Sequence, residues 1–295
     1  MLLTIDQAKK YLRLPNTVSA ENFNPFIPDA TRKYLQPYMG GDLLAKLDSY
    51  SGGSLNVTEN AAKWDTLLDL TRSALSRFTF FLATPSLDLN ITESGILVGN
   101  TQSMAPASKE RVGSFKDSLE DLGFNALDAV LKHLDENKTV FTDWTASDAY
   151  KTFSSGFIRS VDDFQKFVDI GYSRLRFFQL RQAMDRVEMV NVIPVLGDAL
   201  AAALLTESLT PANMEAERAE ALKRCRRCIA YQTAAEEIDE KYTRHAELFI
   251  NLLRDYLNTN PTKFVELFPE GAIATAAPYP VIENTEDSKI FVFGG

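Results

Sequence analysis

The chain has 295 residues, of which 45% are hydrophobic, and it carries 31 basic and 40 acidic side chains for a net charge of −9. A chain of this length and apolar content can bury a core as one large or two medium domains, which excludes a disordered tail. The acidic balance disfavours general nucleic-acid binding, because polyanions are repelled unless the basic residues are gathered on one face.

The sequence also limits the cellular setting. Its longest apolar stretches, Phe78 to Ala83 and Ala199 to Leu205, are shorter than the roughly 18 residues that a membrane-spanning helix needs. Residues 1–10 become polar too early for a signal peptide, so synthesis in the cytoplasm is expected. The two cysteines, Cys225 and Cys228, exclude a scaffold held together by disulfides.

The first third of the chain predicts helices followed by a hairpin. An N-terminal helix is expected within residues 1–19, where Thr4 and Gln7 have the spacing of a capping box. A first helical repeat is expected over residues 20–86, and it ends in a long helix with an apolar stripe. Residues 87–100 alternate apolar and polar side chains around a turn, which predicts a two-stranded β-hairpin.

The rest of the chain predicts more helix and a different end. A middle helical segment is expected over residues 101–172, with Trp144 on a loop, and a second helical repeat over residues 173–257. Residues 258–295 are expected to form an extended tail that ends in a strand. The predicted fold class is therefore mainly α: a duplicated helical-bundle unit with a small β-hairpin and a C-terminal strand.

The duplication is predicted from one short motif that occurs twice. Pro37 and Gly40 recur as Pro194 and Gly197, which lie 157 residues later, and leucines follow at the same spacing in both places. A proline near the start of a helix and a glycine just before the next helix predict a bend between two helices. These four residues are therefore interpreted as structural bends without chemical roles.

Few residues have the spacing that catalysis or metal binding requires. Cys225 and Cys228 form a C-x-x-C motif, but it lies inside a predicted helix with no preceding strand, which favours two small packing residues over a redox site. His133 and His245 have no metal-ligand partner at helical spacing. No catalytic, metal-binding or cofactor-binding residue is predicted, and the protein is expected not to be an enzyme.

Several segments together resemble a known protein family. They are Leu2 to Leu12, Ile27 to Gly40, Asn90 to Ile96 with the Pro106 segment after it, and the stretch around Trp144. In these segments the chain is similar to the head-tail connector or adaptor proteins in the neck of tailed phages, of the type found in phages and prophages of gut Bacteroidetes, including crAss-like phages.

The resemblance implies a non-enzymatic virion protein of the neck, made in the host cytoplasm. It implies a ring of subunits, commonly twelve, stacked between the portal and the tail, with other neck proteins as partners. DNA would pass through the channel without specific binding, and no cofactor and no membrane would be involved. The resemblance carries over no catalytic residue.

Ring assembly would need exposed strand edges, which the hairpin and the C-terminal strand are expected to supply. The candidate subunit-interface residues are Leu89, Ile91, Ile96 and Val98 in the hairpin, and Ile290, Phe291, Val292 and Phe293 in the final strand. Two alternatives remain open at this point. One is an intracellular helical scaffold or regulatory protein that binds a single partner, and the other is an enzyme that uses Cys225 and Cys228.

Overall fold

A computed structural model describes residues 1–12, 20–87, 89–92, 95–98 and 109–268 of the chain, and it is mainly helical, as predicted. Across these ranges, no single helix is long and apolar enough to cross a membrane. The chain divides into two compact units, one up to Gln182 and one from Ala183 onward, and the boundary falls inside a continuous helix.

The first unit contains most of the secondary structure. Its elements in chain order are α1 (Ile5–Ala8), α2 (Ala20–Phe23), α3 (Phe26–Ala30), a π-helix (Thr31–Leu35), α4 (Gln36–Met39), α5 (Gly41–Ser51), α6 (Ala61–Leu87), β1 (Leu89–Thr92), β2 (Gly95–Val98), α7 (Lys109–Glu136), α8 (Thr142–Ala146), α9 (Asp148–Phe153), α10 (Val161–Gln165) and α11 (Arg174–Val187).

The second unit begins within α11 and is entirely helical in its described part. It continues with a second π-helix (Glu188–Val192), α12 (Ile193–Leu196), α13 (Asp198–Glu207), α14 (Ala216–Glu237) and α15 (Thr243–Thr259), with short 3₁₀ turns at Pro211–Asn213, Glu240–Tyr242 and Pro261–Lys263. The expectation of an extended tail from residue 258 is wrong for its first residues, because Pro261 opens a 3₁₀ turn and Phe264 is fully buried.

The core of the first unit lies between the two longest helices, α6 and α7, which pack against each other. Leu67, Ala74 and Leu75 on α6 are fully buried, as are Leu127 and Val130 on α7, because each helix turns one apolar stripe inward. The N-terminal helix α1 begins with the predicted capping box, in which Thr4 and Gln7 each bond the other's backbone N–H.

Both predicted bends are present, and they have the same geometry. In the first, a π-helix precedes the proline of α4, and Gly40 (φ 79°, ψ 156°) connects to α5. In the second, a π-helix precedes the proline of α12, and Gly197 (φ 70°, ψ 153°) connects to α13. These dihedral angles lie in a region that is accessible almost only to glycine. The two units therefore share this bend, as the repeated motif predicted.

The similarity extends along the long helices that follow. The buried positions of α6 recur on α14 at a constant spacing of 154 residues, three fewer than the spacing of the bends, because the stretch between the bend and the long helix is three residues shorter in the second copy. The buried pairs are Trp64 and Arg218, Leu67 and Ala221, Thr71 and Cys225, Ala74 and Cys228, Leu75 and Ile229, and Thr79 and Thr233.

The similarity also includes α7 and α15 and the turns after them, now at a spacing of 123 residues. Asn137 and Asn260 each donate a side-chain hydrogen bond, of 2.9 and 2.8 Å, to the carbonyl four residues earlier, and each precedes a fully buried phenylalanine, Phe141 and Phe264. One polar side chain on each of these helices also contacts a backbone carbonyl near the start of the preceding long helix, at matching positions in the two copies. His133 Nε2 lies 2.9 Å from Lys63 O, and Tyr256 Oη donates to Glu217 O at 3.1 Å.

The copy-specific insertion is the hairpin region. Because the spacing falls from 154 to 123 residues between the two long helices, the first copy has 31 more residues in this connection than the second. Those residues comprise the end of α6, the strands β1 and β2 and the start of α7. The second copy makes the same connection with one 3₁₀ turn, Glu240–Tyr242. The hairpin is therefore an addition to the shared unit.

A repeat of the N-terminal segment precedes α11. The apolar and capping residues Leu2, Thr4, Ile5, Ala8 and Leu12 recur, 156 residues later, as Ile158, Ser160, Val161, Phe164 and Val168. Ser160 caps α10 as Thr4 caps α1, by accepting a hydrogen bond from the N–H three residues on. The repeated sequence therefore begins at Ile158, before the predicted start of the second repeat at residue 173.

The two bend glycines give a graded test of this geometry. We expect Gly40→Ala and Gly197→Ala each to lower the free energy of unfolding by about 1–3 kcal/mol through backbone strain. Gly40→Ala should cost more, because its new Cβ would lie 2.8 Å from Ser147 Cβ, whereas at Gly197 the nearest atom, Leu267 Cδ1, is 3.6 Å away. Urea unfolding followed by circular dichroism measures both changes.

The control for this test is Gly113→Ala on α7. No atom lies within 4 Å of the added Cβ, so the change should stabilise the helix by about 0.5–1 kcal/mol. Equal stability of Gly40→Ala and wild type would contradict the described bend.

One packing difference between the copies also yields a test. In the first copy Phe78 stacks on Tyr34 with ring centroids 4.1 Å apart, and its ring fills the space beside Gly123, where a Cβ would lie 2.6 Å from Phe78 Cε1. We expect Gly123→Ala to destabilise the protein by about 1–3 kcal/mol through overpacking, as thermal unfolding would show.

The second copy accommodates the methyl group that the first cannot. Ala246 takes the place of Gly123, Gln232 that of Phe78 and Asn191 that of Tyr34, and Asn191 Nδ2 donates to Gln232 Oε1 at 2.8 Å. Combining Gly123→Ala with Phe78→Leu should therefore cost less than the sum of the two single changes. Strict additivity would argue against the contact.

Candidate functional site

The first bend forms the floor of a shallow groove on the first unit. The groove has a volume of about 600 Å³ and is lined by Arg32, Gln36, Pro37, Gly40, Gly41, Asp42 and residues 146–149. Trp144 lies on the one-turn helix α8 and not on the predicted loop. Its side chain is fully buried and donates from Nε1 to Tyr38 O, next to the bend, at 3.0 Å. The helix α9 that follows packs against α4. The bend is thus held from one side by residues 144–153.

The second bend has a groove of the same volume but of different chemistry. This groove is lined by Pro194, Val195, Leu257, Leu267 and Phe268, with Arg254, Asp255 and Asn258 at its edge. Pro37 and Gly40 therefore lie beside a mostly polar groove, whereas Pro194 lies beside one with aliphatic and aromatic walls.

The hairpin places four of the predicted interface residues on two paired strands. Leu89 pairs with Val98 and Ile91 with Ile96, in antiparallel register. Among the strands that the structure describes, β1 and β2 form a sheet of two, so the outer edge of each has no described strand beside it. A role in subunit contacts remains a prediction for these four residues. Ile290, Phe291, Val292 and Phe293 lie outside the described residues.

The two cysteines are core residues of α14. Cys225 and Cys228 are both fully buried, on the face that matches Thr71 and Ala74 of α6. Burial raises the pKa of the Cys228 thiol to about 12, and burial together with the neighbouring thiol raises the pKa of Cys225 well above its ordinary value. A reactive cysteine needs the opposite shift, so these thiols have the chemistry of small apolar side chains.

The two histidines lie in different units and in different surroundings. His133 is held by the Lys63 carbonyl and packs near Phe141, with ring centroids 5.6 Å apart. His245 is exposed, beside Tyr231 and Phe249. In the described ranges no group of three or more His, Cys, Asp or Glu side chains could hold a metal ion.

One buried charged side chain that the sequence did not indicate is Arg218. Arg218 on α14 is nearly buried, and it donates to Glu207 at 2.8 Å and to Glu266 at 3.0 Å. The hydrogen bond from Arg218 lowers the pKa of Glu266, so this contact stabilises the fold at neutral pH and is lost as the pH falls through that pKa. Arg218 takes the position of Trp64 in the first copy, so a charged network fills a place that an aromatic ring fills there.

Comparison with known proteins adds one finding. A family model described as "Family of unknown function (DUF6712)" matches residues 14–154. No curated protein and no solved structure matches the chain. The matched region contains the first bend, the long helices, the hairpin and Trp144, and it ends before Ile158, where the repeated sequence begins again. The second copy thus lies beyond the region that the family model matches.

The burial of the thiols can be tested by alkylation. At pH 8 we expect iodoacetamide to modify Cys225 and Cys228 at least about a hundredfold more slowly in the native protein than in urea, because neither thiolate forms in the core. Intact-mass spectrometry over time gives both rates.

An engineered surface thiol, Ser118→Cys on the exposed side of α7, is the control and should react at the rate of a free cysteine. Fast labelling of both native cysteines would instead return the C-x-x-C motif to consideration as a redox site.

Proposed function

We propose that this chain is a non-enzymatic structural protein of a phage virion, a head-tail connector or adaptor subunit that forms a ring between portal and tail. The proposal rests on the resemblance of the N-terminal, bend and hairpin segments to such proteins. It is supported by the one large difference between the two copies, the 31-residue insertion that carries β1 and β2 in the first copy alone.

The insertion suits a role in assembly for a physical reason. A strand with an unpaired edge offers a row of backbone donors and acceptors to another chain, and each hydrogen bond formed contributes about 0.5–1.5 kcal/mol net. The helical core of the second copy has no such insertion, so the hairpin serves no need of the shared fold. Repeating one such contact by rotation would close a ring.

The charge of the chain fits the same proposal. A net charge of −9 would let DNA pass through a ring without being held by it, since like charges repel. The proposed partners are other copies of the chain, the portal and tail or other neck proteins, and DNA in passage. An intracellular scaffold that binds one partner is the competing function, and it would give a small complex with no ring.

The proposal predicts that the insertion is needed for assembly and not for folding. Replacing residues 84–119 by residues 238–242, the connection of the second copy, should keep the far-ultraviolet circular dichroism of a helical protein but abolish ring formation. Deleting residues 287–295 should have the same effect. Native mass spectrometry and negative-stain electron microscopy, of the protein alone and with its portal, would reveal the rings.

The matched control removes three residues from the connection between α5 and α6, so that the first bend and α6 are separated by as many residues as Gly197 and the corresponding positions of α14. This variant should assemble like wild type. Rings formed normally by both the insertion variant and the C-terminal deletion would refute the assembly mechanism, and a defined complex with one partner and no ring would favour the scaffold.

A further inference from the structure

The first bend, which corresponds to the bend beside the apolar groove, is covered on one side by the chain that follows Trp144. There, the residues directly after Trp144 turn back over the bend: Ser147 contacts the Gly40 position, and α9 packs against α4. Tyr150 of α9 lies against the Trp144 ring, with centroids 4.7 Å apart. Leu267 takes the place of Trp144 in the second copy, at the same spacing of 123 residues that relates Phe141 to Phe264.

The corresponding surface of the second copy is apolar and exposed. Met189 and Val190 of the π-helix are 70% and 63% exposed, whereas the first copy has Arg32 and Lys33 at the same positions. These side chains precede Pro194 and Val195, which line the groove, by about one turn. Met189 and Val190 do not themselves line the groove. The aliphatic and aromatic walls that an apolar segment would cover are those of Pro194, Leu257, Leu267 and Phe268.

The described chain ends in this groove. Phe268 is its last residue and one of the groove's walls, and 27 residues follow it in the sequence. Residues 270–277 read Glu-Gly-Ala-Ile-Ala-Thr-Ala-Ala, which is an apolar stretch with one charge. Ile273 stands at the position of Tyr150, 123 residues later.

We propose that the groove beside Pro194 is the docking site for residues 270–277 of the same chain. The groove would take the small aliphatic side chains of this segment, as the first bend takes residues 147–153. Because the segment follows a groove residue directly, its effective concentration at the site is high, so a small contact area is sufficient to hold it. This assigns the C-terminal segment a defined starting point on the second unit and is independent of the proposed assembly function.

Limited proteolysis of the full chain tests the docking. Elastase cleaves after small aliphatic residues, so an undocked 270–277 segment offers several sites, and cleavage follows the population of the open form. We expect Val195→Asp, which places a charge in the groove, to be cut within this segment about tenfold faster than wild type, as mass spectrometry of the fragments would show. Asn258→Trp, which fills the groove from its exposed edge, should do the same.

The control is Val265→Asp, the same substitution at a residue that is exposed and lies outside the groove. It should be cleaved at the wild-type rate, and the melting temperature of every variant checks folding. Wild type cleaved as fast as both groove variants would overturn the docking. Protection that disappears on dilution through the concentration at which the protein becomes monomeric would also overturn it, since the segment would then belong to another chain.

Discussion

The geometry of both copies depends on one backbone constraint at the end of a short helix. A proline in the middle of a helix has no N–H to donate and its ring crowds the preceding turn, and in both copies that turn is widened to a π-helix. The first residue after the π-helix donates to the carbonyl five residues back in both copies, at Gln36 and at Ile193. The glycine at the end of the short helix then adopts a positive φ, and a new helix starts at once. The direction of α5 and of α13 is set by this sequence of steps, and the long helices follow from them.

The sequence predicted the bend but not the full extent of the repeat. Pro37 and Pro194 were recognisable because a bend of this kind restricts the residue types that can form it, so the same residue types occur at this bend in both copies. Elsewhere many paired positions agree in burial but not in residue type: Trp64 corresponds to Arg218 and Thr71 to Cys225. The spacing between the copies also changes three times, from 156 to 157 residues before the bend, to 154 at the long helices and to 123 after the insertion, so no single offset aligns the chain. Trp144 on a helix and Phe264 in the core were missed because single helical turns have too few residues for a periodic pattern.

Residues that contact each other in the core differ together between the two copies. Phe78 needs Gly123 opposite it, and where Gln232 replaces the ring, Ala246 replaces the glycine. Similarly, Arg218 in the second copy requires Glu207 and Glu266, because a guanidinium cannot be buried without partners. Such linked changes explain why pairwise sequence identity between the copies is hard to see while the contacts persist. They also identify which residues must be changed together when one copy is used to redesign the other.

The two copies differ most at their surfaces, in features that do not contribute to the shared core. The first copy keeps a polar groove at its bend, covers one side of it with α9, and carries the inserted hairpin. The second has no insertion, exposes Met189 and Val190, and has aliphatic walls at its bend. Neither difference adds to the stability of a single unit: exposed apolar side chains gain nothing from water, and a two-stranded sheet is barely stable by itself. The inserted hairpin and the exposed apolar side chains stabilise the protein only when another segment covers them. Contacts with other chains or chain ends should therefore be sought at these surfaces, which are specific to one copy, and not at the duplicated core.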